Sequence, residues 1–166
     1  MNPTLRTATP ADAPRVSALV QAVFAGFVAP DWAPEARAAF AGQSSGERFE
    51  QLLQDPAFAA VAEAGGQLLG FILLPTPDLL AFLFVDGQAH KRGIATALWQ
   101  AAREHLEAAY PDTKTVELNS SPYAVPAYRA LGFYPISEPF RRGGAVATRM
   151  ACWLPGKALS EAQGAG

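Results

Sequence analysis

The sequence predicts an α/β protein: a single mixed sheet, mostly antiparallel and of about seven strands, with helices on both faces. Two observations carry this prediction. Residues 79–85 form an uninterrupted apolar run, which is typical of a central strand covered on both faces. From Ile94 the apolar positions recur about every 3.6 residues, which is typical of a helix that packs along one side. Apolar strand-like and helix-like segments alternate along the rest of the chain.

The N-terminal third predicts one strand followed by helices. Residues 5–8 suit a first strand. Thr9 and Asp12 mark a helix start, because a capping residue is followed by a proline and, three residues after the cap, by a carboxylate. Apolar residues then recur at helical spacing over 16–27. Residues 28–45 form a loop that leads into a short helix near 34–41, and a second short helix spans 47–54.

Three strands and the longest helix are predicted in the middle of the chain. Strands 58–63 and 67–74 flank Gly65 and Gly66, which suit a tight hairpin. The turn 75–77 leads into the central strand. In the helix that begins at Ile94, one face ends with His105 and Ala109, so His105 is expected to be a hydrogen-bonded histidine of the core.

The C-terminal part predicts three more strands and a short helix. Residues 115–119, 133–136 and 145–153 suit strands, and 122–131 suits a helix that Gly132 closes. Arg141 and Arg142 stand at the tip between the last two strands. Cys152 falls in an apolar strand and is expected to be an inert buried thiol. We expect one domain over 1–155 and a small, polar tail over 156–166.

Composition narrows the classes of function. The 166 residues carry a formal net charge of −2, which gives no support for a nucleic acid or an anionic membrane as partner. We expect no signal peptide, and no apolar stretch that approaches the length of a bilayer span. The single cysteine excludes an internal disulfide and offers no metal cluster. The sequence therefore predicts a cytoplasmic protein without a metal.

A basic turn follows the central strand. Asp86 and Gly87 end the apolar run, and a Gln-Ala-His-Lys-Arg-Gly segment leads into the helix at Ile94. The first amides of a helix, its positive dipole end and nearby cations together favour an anion. Gly93 lets the backbone approach a ligand without a side chain in between. The turn therefore suits a diphosphate, and an ordinary turn with solvated basic residues is the alternative.

Two segments resemble motifs of the GNAT acyltransferases. His90-Lys91-Arg92-Gly93-Ile94-Ala95 is similar to that family's Gln/Arg-x-x-Gly-x-Gly/Ala acetyl-CoA signature, with His90 in place of Gln or Arg. Residues 119–133 resemble a second segment of the family, which opens on an asparagine and has a tyrosine four residues before Gly-Phe. Here these residues are Asn119 and Tyr128. The likeness extends over about residues 5–155.

The resemblance implies an N-acetyltransferase that moves an acetyl group from acetyl-CoA to a primary amine by direct attack in a ternary complex. Main-chain groups of the basic turn would hold the pyrophosphate. Tyr128 would protonate the thiolate leaving group, and packing on the sheet is its alternative role. Asn119 would hold the pantetheine arm or cap the next helix. The implied coenzyme-binding residues are Leu83, Phe84, Val85, His90, Lys91, Arg92, Gly93, Ile94, Ala95, Thr96, Asn119 and Tyr128.

The acceptor side carries weaker signals. In the family the first helices border this side, so Phe24, Phe27 and Trp32 either line an acceptor pocket or pack in the core. Arg141 either selects an acceptor with a carboxylate or is solvated. The sequence does not name the amine, and antibiotics, polyamines, amino acids and protein amines stay open. Relatives are often dimers, so a homodimer stands beside a monomer as an alternative.

A general base is not evident. Residues 79–85 contain no ionisable side chain, although some relatives carry a glutamate in this strand. Glu63, Asp86 or a water chain could accept the proton, and an amine that arrives neutral would need no base. This gap keeps a second class of function open, a GNAT-like domain that senses acyl-CoA without turnover.

Overall fold

The structure, a computed structural model, describes residues 2–154. The predicted tail 156–166 and the end of the predicted domain at 155 lie outside the described residues. The helices are α1 Ala13–Val23, α2 Pro34–Gln43, α3 Gly46–Leu52, α4 Ile94–Ala109 and α5 Val125–Ala130. The strands are β1 Thr4–Thr7, β2 Phe58–Ala64, β3 Gln67–Leu74, β4 Phe82–Val85, β5 Thr115–Ser120, β6 Tyr134–Pro135, β7 Phe140–Arg142 and β8 Ala145–Trp153.

The strands form two antiparallel halves. One half has the order β1-β2-β3-β4, and the other has the order β5-β8-β6 with β7 paired to β8. The halves meet at a parallel bridge, where Leu80 N–H donates to Glu117 O (3.0 Å) and Glu117 N–H donates to Asp78 O (2.9 Å). This arrangement confirms the predicted fold class. Strand β7 raises the number of described strands above the predicted seven.

The central strand is shorter and less covered than predicted. Strand β4 begins at Phe82, and its residues are half-buried. Leu79 is 41% exposed and makes only isolated bridges. Ala81 N–H donates to Leu73 O, although the register pairs Leu73 with Phe82, so two residues of this strand face one of β3. Such a bulge increases local twist. Leu80 is nonetheless buried in one core, and the half-buried residues of β4 pack against the cores on both faces of the sheet.

Helices α1 and α3 cover one face of the first half-sheet. Their apolar residues form a core with the side chains of β2 and β3 that point to that face, among them Val61 and Phe71. The predicted helix start holds, because Thr9 N–H donates to the Asp12 carboxylate (2.8 Å). The same carboxylate accepts from Arg6 (2.8 Å), which ties β1 to the start of α1.

Helix α4 covers the opposite face. Its buried residues are Ile94, Leu98, Trp99, Ala102 and Leu106. The prediction that His105 and Ala109 share this face is wrong, because both are exposed. Leu106 takes the sheet-facing position in the last turns, and His105 is rotated outward, where its ring lies 5.2 Å from that of Phe58. Cys152 lies in the same core as predicted, and burial raises the pKa of its thiol.

One expectation about membranes is wrong. The helical stretch Pro10–Asp31, which contains α1, has the length of a bilayer span and a mean hydropathy of 1.3 in its most apolar window. It is the one such stretch in residues 2–154. Val16 and Val20 are fully buried against the sheet, and 44% of the window is buried inside the protein. The core helix of a globular fold has the same length and composition, so this stretch gives little evidence for a membrane.

Candidate active site

A cavity of about 560 Å³ opens where β4 and β5 diverge. It is bounded by β4, the first turn of α4, α5 and the segment that joins α1 to α2. Most of the predicted site residues line it: Phe24, Phe27, Trp32, Leu83, Phe84, Val85, His90, Lys91, Gly93, Ile94, Ala95, Thr96, Asn119 and Tyr128. Arg92 and Arg141 are exposed and are not among the lining residues.

Strand β4 presents a free edge to the cavity, since β3 lies on its other side. Asp86 N–H donates to Leu69 O (2.8 Å), and hydrogen-bonded pairs alternate along an antiparallel ladder. The main-chain groups of Phe84 therefore point to β3, whereas those of Leu83 and Val85 point to the gap. Phe84 contributes its side chain to the cavity wall. The strand thus offers main-chain donors and acceptors in an extended row.

The basic turn is held in an unusual backbone conformation. The Asp86 carboxylate accepts from Gln88 N–H (2.9 Å), which fixes the start of the turn. Lys91 and Gly93 both have positive φ, 64° and 78°. Gly93 is the N-cap of α4, and no atom lies within 4 Å of the place where its Cβ would stand. Lys91, Gly93 and the first residues of α4 line the cavity together, as an anion site requires.

His90 links this turn to the strand. Its Nε2 atom lies 2.8 Å from Val85 O. Because a carbonyl oxygen only accepts, Nε2 carries the hydrogen of this bond. The ring of His90 lies 5.0 Å from that of Phe27. The side chain at the position where the sequence departs from the GNAT signature thus makes a specific contact.

Gly70 of β3, which the sequence analysis did not single out, lets α4 approach the sheet. A Cβ atom at this position would lie 2.8 Å from Cγ2 of Ile94 and 3.0 Å from Cδ1 of Leu98. Gly70 also pairs with Val85 in the sheet register. The first turn of α4 is therefore seated directly over the end of β4. A glycine inside an apolar strand is the sequence signal for such close packing.

Tyr128 both packs against the core and lines the cavity. Its ring packs 5.7 Å from that of Phe133, and the side chain also lines the cavity. The chain bends back here, since Phe133 N–H donates to Tyr128 O (3.0 Å). Burial raises the pKa of the Tyr128 phenol above its ordinary value, so the hydroxyl stays protonated at neutral pH. A protonated phenol in the wall of a cavity can donate a proton or a hydrogen bond.

Asn119 lies on β5 at the opposite wall. It pairs with Arg149 in the sheet register and lines the cavity. The side chain that accepts from the segment leading into α5 is that of Ser121, whose Oγ receives Ala124 N–H (3.3 Å). The N-cap of α5 is Ala124, so Asn119 does not occupy the capping position of that helix.

The two carboxylates considered as a base are engaged elsewhere. Glu63 accepts from Arg6 Nε (2.8 Å), and Arg15 lies 3.9 Å from it. The bond to Arg6 lowers the pKa of Glu63, which weakens it as a base. The carboxylate of Asp86 caps the turn. Neither residue is among those that line the cavity, and none of the described lining residues is an aspartate or a glutamate.

One side of the cavity is built from packed rings, which we call the aromatic wall: Phe24, Trp32, Phe40 and Phe84. Phe24 stacks on Phe40 with centroids 4.0 Å apart, and Trp32 meets Phe24 edge-on at 5.1 Å. Phe84 joins from the sheet, 6.3 Å from Phe40. A widened helical turn, Phe24–Val28, follows α1 and contains Phe24. Such turns are frequent at functional sites.

Phe40 and Tyr123 are lining residues that the sequence analysis missed. Phe40 lies on α2 and Tyr123 on the loop before α5. Tyr123 is 49% exposed, and its ring lies 5.0 Å from that of Phe27. Both residues reach the cavity through contacts between distant parts of the chain. An exposed aromatic residue next to the second motif is the one signal that could have indicated Tyr123.

Arg141 does not stand at a hairpin tip. Residues 140–142 pair with β8 as strand β7, so the tip lies at Gly143 and Gly144, and Arg141 is an exposed strand residue. The tip itself does reach the acceptor side. Gly144 O accepts from Ala33 N–H (3.0 Å), next to Trp32. The hairpin therefore supports the aromatic wall, but Arg141 adds no charge to the cavity lining.

Comparison with known protein families identifies the family of this chain. A family model described as an acetyltransferase (GNAT) domain matches residues 28–154, most of the chain. The chain belongs to this family. The resemblance drawn from the two motifs is confirmed, and the GNAT match includes β4, the basic turn and α5. A comparison with curated protein sequences found no significant match.

Solved structures share the GNAT fold over nearly the whole chain. The GCN5-related N-acetyltransferase of Rhodopseudomonas palustris has a TM-score of 0.78 at 22% identity, over 92% of this chain and 96% of that one. PaiA N-acetyltransferase of Thermoplasma acidophilum, solved with coenzyme A, has a TM-score of 0.76 at 14% identity, over 92% and 99%. The ribosomal-protein-S18-alanine N-acetyltransferase of Escherichia coli has a TM-score of 0.64 at 18% identity, over 92% and 94%. At these identities the likeness establishes the fold.

Proposed function

We propose that this GNAT protein transfers the acetyl group of acetyl-CoA to a primary amine, by direct attack within a ternary complex. One observation carries the proposal: the N-terminus of α4, the free edge of β4 and the phenol of Tyr128 all face a single cavity. These are the three parts that a thioester donor needs, namely a diphosphate site, a track for an extended arm and a proton donor. The coenzyme A complex of PaiA, a protein of the same fold, supports this choice of donor.

The coenzyme would lie between the two half-sheets. Its diphosphate would accept from the amides of the turn around Gly93, with Lys91 adding positive charge. The pantetheine arm would run along β4 and bond the outward main-chain groups of Leu83 and the N–H of Val85, whose carbonyl oxygen accepts from His90. Asn119 faces the arm from β5. Amides held in a strand need no reorientation when charge develops on the thioester oxygen.

Acetyl transfer forms one bond and breaks another. The nitrogen of the amine forms a bond to the acetyl carbon, the carbon–sulfur bond breaks, and its electron pair stays on sulfur. Tyr128 donates a proton or a hydrogen bond to the thiolate, and the nitrogen loses a proton to water. The raised pKa of the phenol keeps Tyr128 in the protonated state that this role requires. The products are an N-acetyl amide and coenzyme A.

The test has two stages. Calorimetry with acetyl-CoA measures binding, and release of the coenzyme thiol in the presence of amines measures turnover. The proposal predicts both, with a stoichiometry of about one per chain and an acetylated amine among the products. Well-folded protein that fails to bind acetyl-CoA would overturn the proposal at its first step.

A second candidate, an acyl-CoA sensor, has one observation in its favour. The described residues that line the cavity include no carboxylate to serve as a base. A sensor would bind acetyl-CoA and leave every amine of a broad panel unmodified. Thiol release that depends on an added amine separates the two, because only the enzyme produces it.

A further inference from the structure

The charge of the cavity lining distinguishes between classes of amine. Among the described residues that line it, none is acidic, and Lys91 contributes a positive charge. Polyamines and aminoglycosides carry several ammonium groups. Each of these groups loses hydration free energy when it enters the cavity, and this loss has to be offset by a charged or hydrogen-bonding partner there. Carboxylates supply that compensation in proteins. A polycation would find none among the described lining residues.

The aromatic wall offers the opposite chemistry. Trp32 and Phe24 meet edge-on, and Phe24 stacks on Phe40, so a large apolar surface faces the cavity from one side. A ring or a branched alkyl group packs well against such a surface, and ring pairs prefer the same offset and edge-on geometries. The wall therefore suits the apolar body of an amine.

The same surroundings favour the reactive form of the amine. Burial disfavours an ammonium ion, so the pKa of an amine beside the aromatic wall falls toward neutrality. The unprotonated nitrogen is the one that attacks the thioester. A wall of this kind thus does part of what a general base does elsewhere, which agrees with the lack of a carboxylate in the described lining.

The size of the cavity limits the acceptor further. Its volume of about 560 Å³ has to contain the pantetheine arm as well as the acceptor. Gly144 O holds Ala33 N–H beside Trp32, which closes the wall on the hairpin side. What remains beside the wall fits a small molecule.

We propose that the acceptor is a small aromatic or branched apolar primary monoamine that packs against the aromatic wall. This proposal rests on the acetyl transfer proposed above and names its substrate class. The amine ends as its N-acetyl amide, the acetyl thioester ends as coenzyme A, and the proton lost by nitrogen balances the one gained by sulfur. No additional reactant enters.

Rates of thiol release at saturating acetyl-CoA test the acceptor class. Phenethylamine and isoamylamine represent the proposed class, ethylamine is the matched amine without a ring, and spermidine and kanamycin are the polycations. We expect kcat/KM for phenethylamine to exceed that for ethylamine by about 10²-fold, from the apolar area that a phenyl group buries. The kcat/KM for phenethylamine should also exceed that for spermidine or kanamycin by at least about 10²-fold, because the ammonium groups of these polycations would lie unpaired in the cavity. Equal or higher values for either polycation would overturn the proposal.

Substitutions in the aromatic wall test whether the acceptor binds there. Trp32→Ala should raise KM for phenethylamine by about 10-fold and change the Kd of acetyl-CoA by less than about 2-fold. Phe40→Leu keeps apolar volume while removing a ring, and should raise the same KM by a smaller factor. Trp153→Ala removes an exposed tryptophan of β8 that is not a lining residue, and should change neither quantity. An unchanged KM in both wall variants would contradict the assignment.

The outcomes separate this proposal from the one on which it rests. Protein that binds no acetyl-CoA contradicts acetyl transfer itself. Protein that binds acetyl-CoA and acetylates spermidine but not phenethylamine is an acetyltransferase with a different acceptor. Binding of acetyl-CoA with no turnover of any amine in the panel contradicts the acceptor class and favours the sensor.

Discussion

The Nε2 atom of His90 lies 2.8 Å from the carbonyl oxygen of Val85. This hydrogen bond joins the basic turn to the end of β4, so it fixes the diphosphate part of the proposed coenzyme site relative to the pantetheine part. The GNAT signature that the turn resembles has Gln or Arg at this position. All three side chains carry N–H donors. An N–H donor is therefore what we expect the site to need at this position.

Replacing the donor should weaken coenzyme binding. His90→Phe keeps a ring against Phe27 but removes the N–H, and we expect the Kd of acetyl-CoA to rise about 10-fold, the value of one lost hydrogen bond. His90→Gln supplies a donor and should stay within about 3-fold of the parent protein. Calorimetry measures both. Equal affinity for the Phe and Gln variants would show that the bond to Val85 does not matter for binding.

Gly93 tests the anion site. Its φ of 78° lies in the left-handed region, and the place of its absent Cβ is open. Gly93→Val should raise the Kd of coenzyme A by about 10-fold or more, because a branched side chain strains the turn and stands where phosphates would approach. Gly42→Ala, a change on α2 with open space around it, is the matched control and should leave the Kd unchanged. Native affinity in folded Gly93→Val would remove the turn from the coenzyme site.

A substitution at Gly70 tests whether the close packing of α4 on the sheet is needed for binding of acetyl-CoA. An added methyl group would lie 2.8 Å from Cγ2 of Ile94, so either the isoleucine or the first turn of α4 has to move. We expect Gly70→Ala to lower the free energy of unfolding by about 1–3 kcal/mol, the usual cost of overpacking. Acetyl-CoA should also bind more weakly, since the amides of the turn shift with α4. Urea unfolding and calorimetry measure the two effects, and a stable variant with unchanged affinity would show that the side chains of Ile94 and Leu98 absorb the clash without moving the turn.

Local sequence was enough to predict the strand–turn–helix unit around Gly93. A run of apolar residues, a basic turn and a change to helical period each leave a signal within a few residues of one another. The assignment of His105 to the buried face of α4 is wrong because local sequence does not decide it. His105 and Leu106 are neighbours on the helix, and only packing against the sheet decides which of them points inward.

Contacts between segments that are distant in the sequence determine the rest of the site. An apolar strand looks the same in sequence whether it faces a core or a cavity, so the half-burial of β4 could not be predicted. Phe40 reaches the aromatic wall because α2 folds over the sheet, and no local pattern records that contact. Arg141 was placed at a turn because β7 is a strand of three residues, too short to show a period of its own.

The contact between Arg6 and Asp12 predicts how stability depends on pH. The hydrogen bond from Arg6 lowers the pKa of Asp12 below its ordinary value near 3.8, and Thr9 N–H adds to the effect. The unfolded chain therefore binds a proton at a higher pH than the folded one. The stability that this contact contributes is present above about pH 4 and is lost as pH falls through the lowered pKa of the folded state.

Asp12→Asn removes the titration, and thermal unfolding of both proteins at several pH values measures it. At pH 7 the variant should be less stable by about 1 kcal/mol, because Arg6 is partly exposed and its pairing is screened by solvent. The difference should shrink as pH falls below 4, where the aspartate of the parent protein becomes protonated. A difference that stays constant from pH 7 to pH 3 would mean that the charge of Asp12 does not contribute.

Tyr128→Phe tests the proposed proton donor. The substitution keeps the ring that packs on Phe133 and removes only the hydroxyl, so the fold and the affinity for acetyl-CoA should change little. If the phenol protonates the leaving thiolate, kcat should fall by about 10²-fold or more. Because burial raises the pKa of this phenol, the parent enzyme should show no loss of kcat from its ionisation up to about pH 10, the value for an ordinary tyrosine. A kcat equal to that of the parent protein, measured where chemistry limits the rate, would leave Tyr128 as a packing residue and require the thiolate to depart without its help.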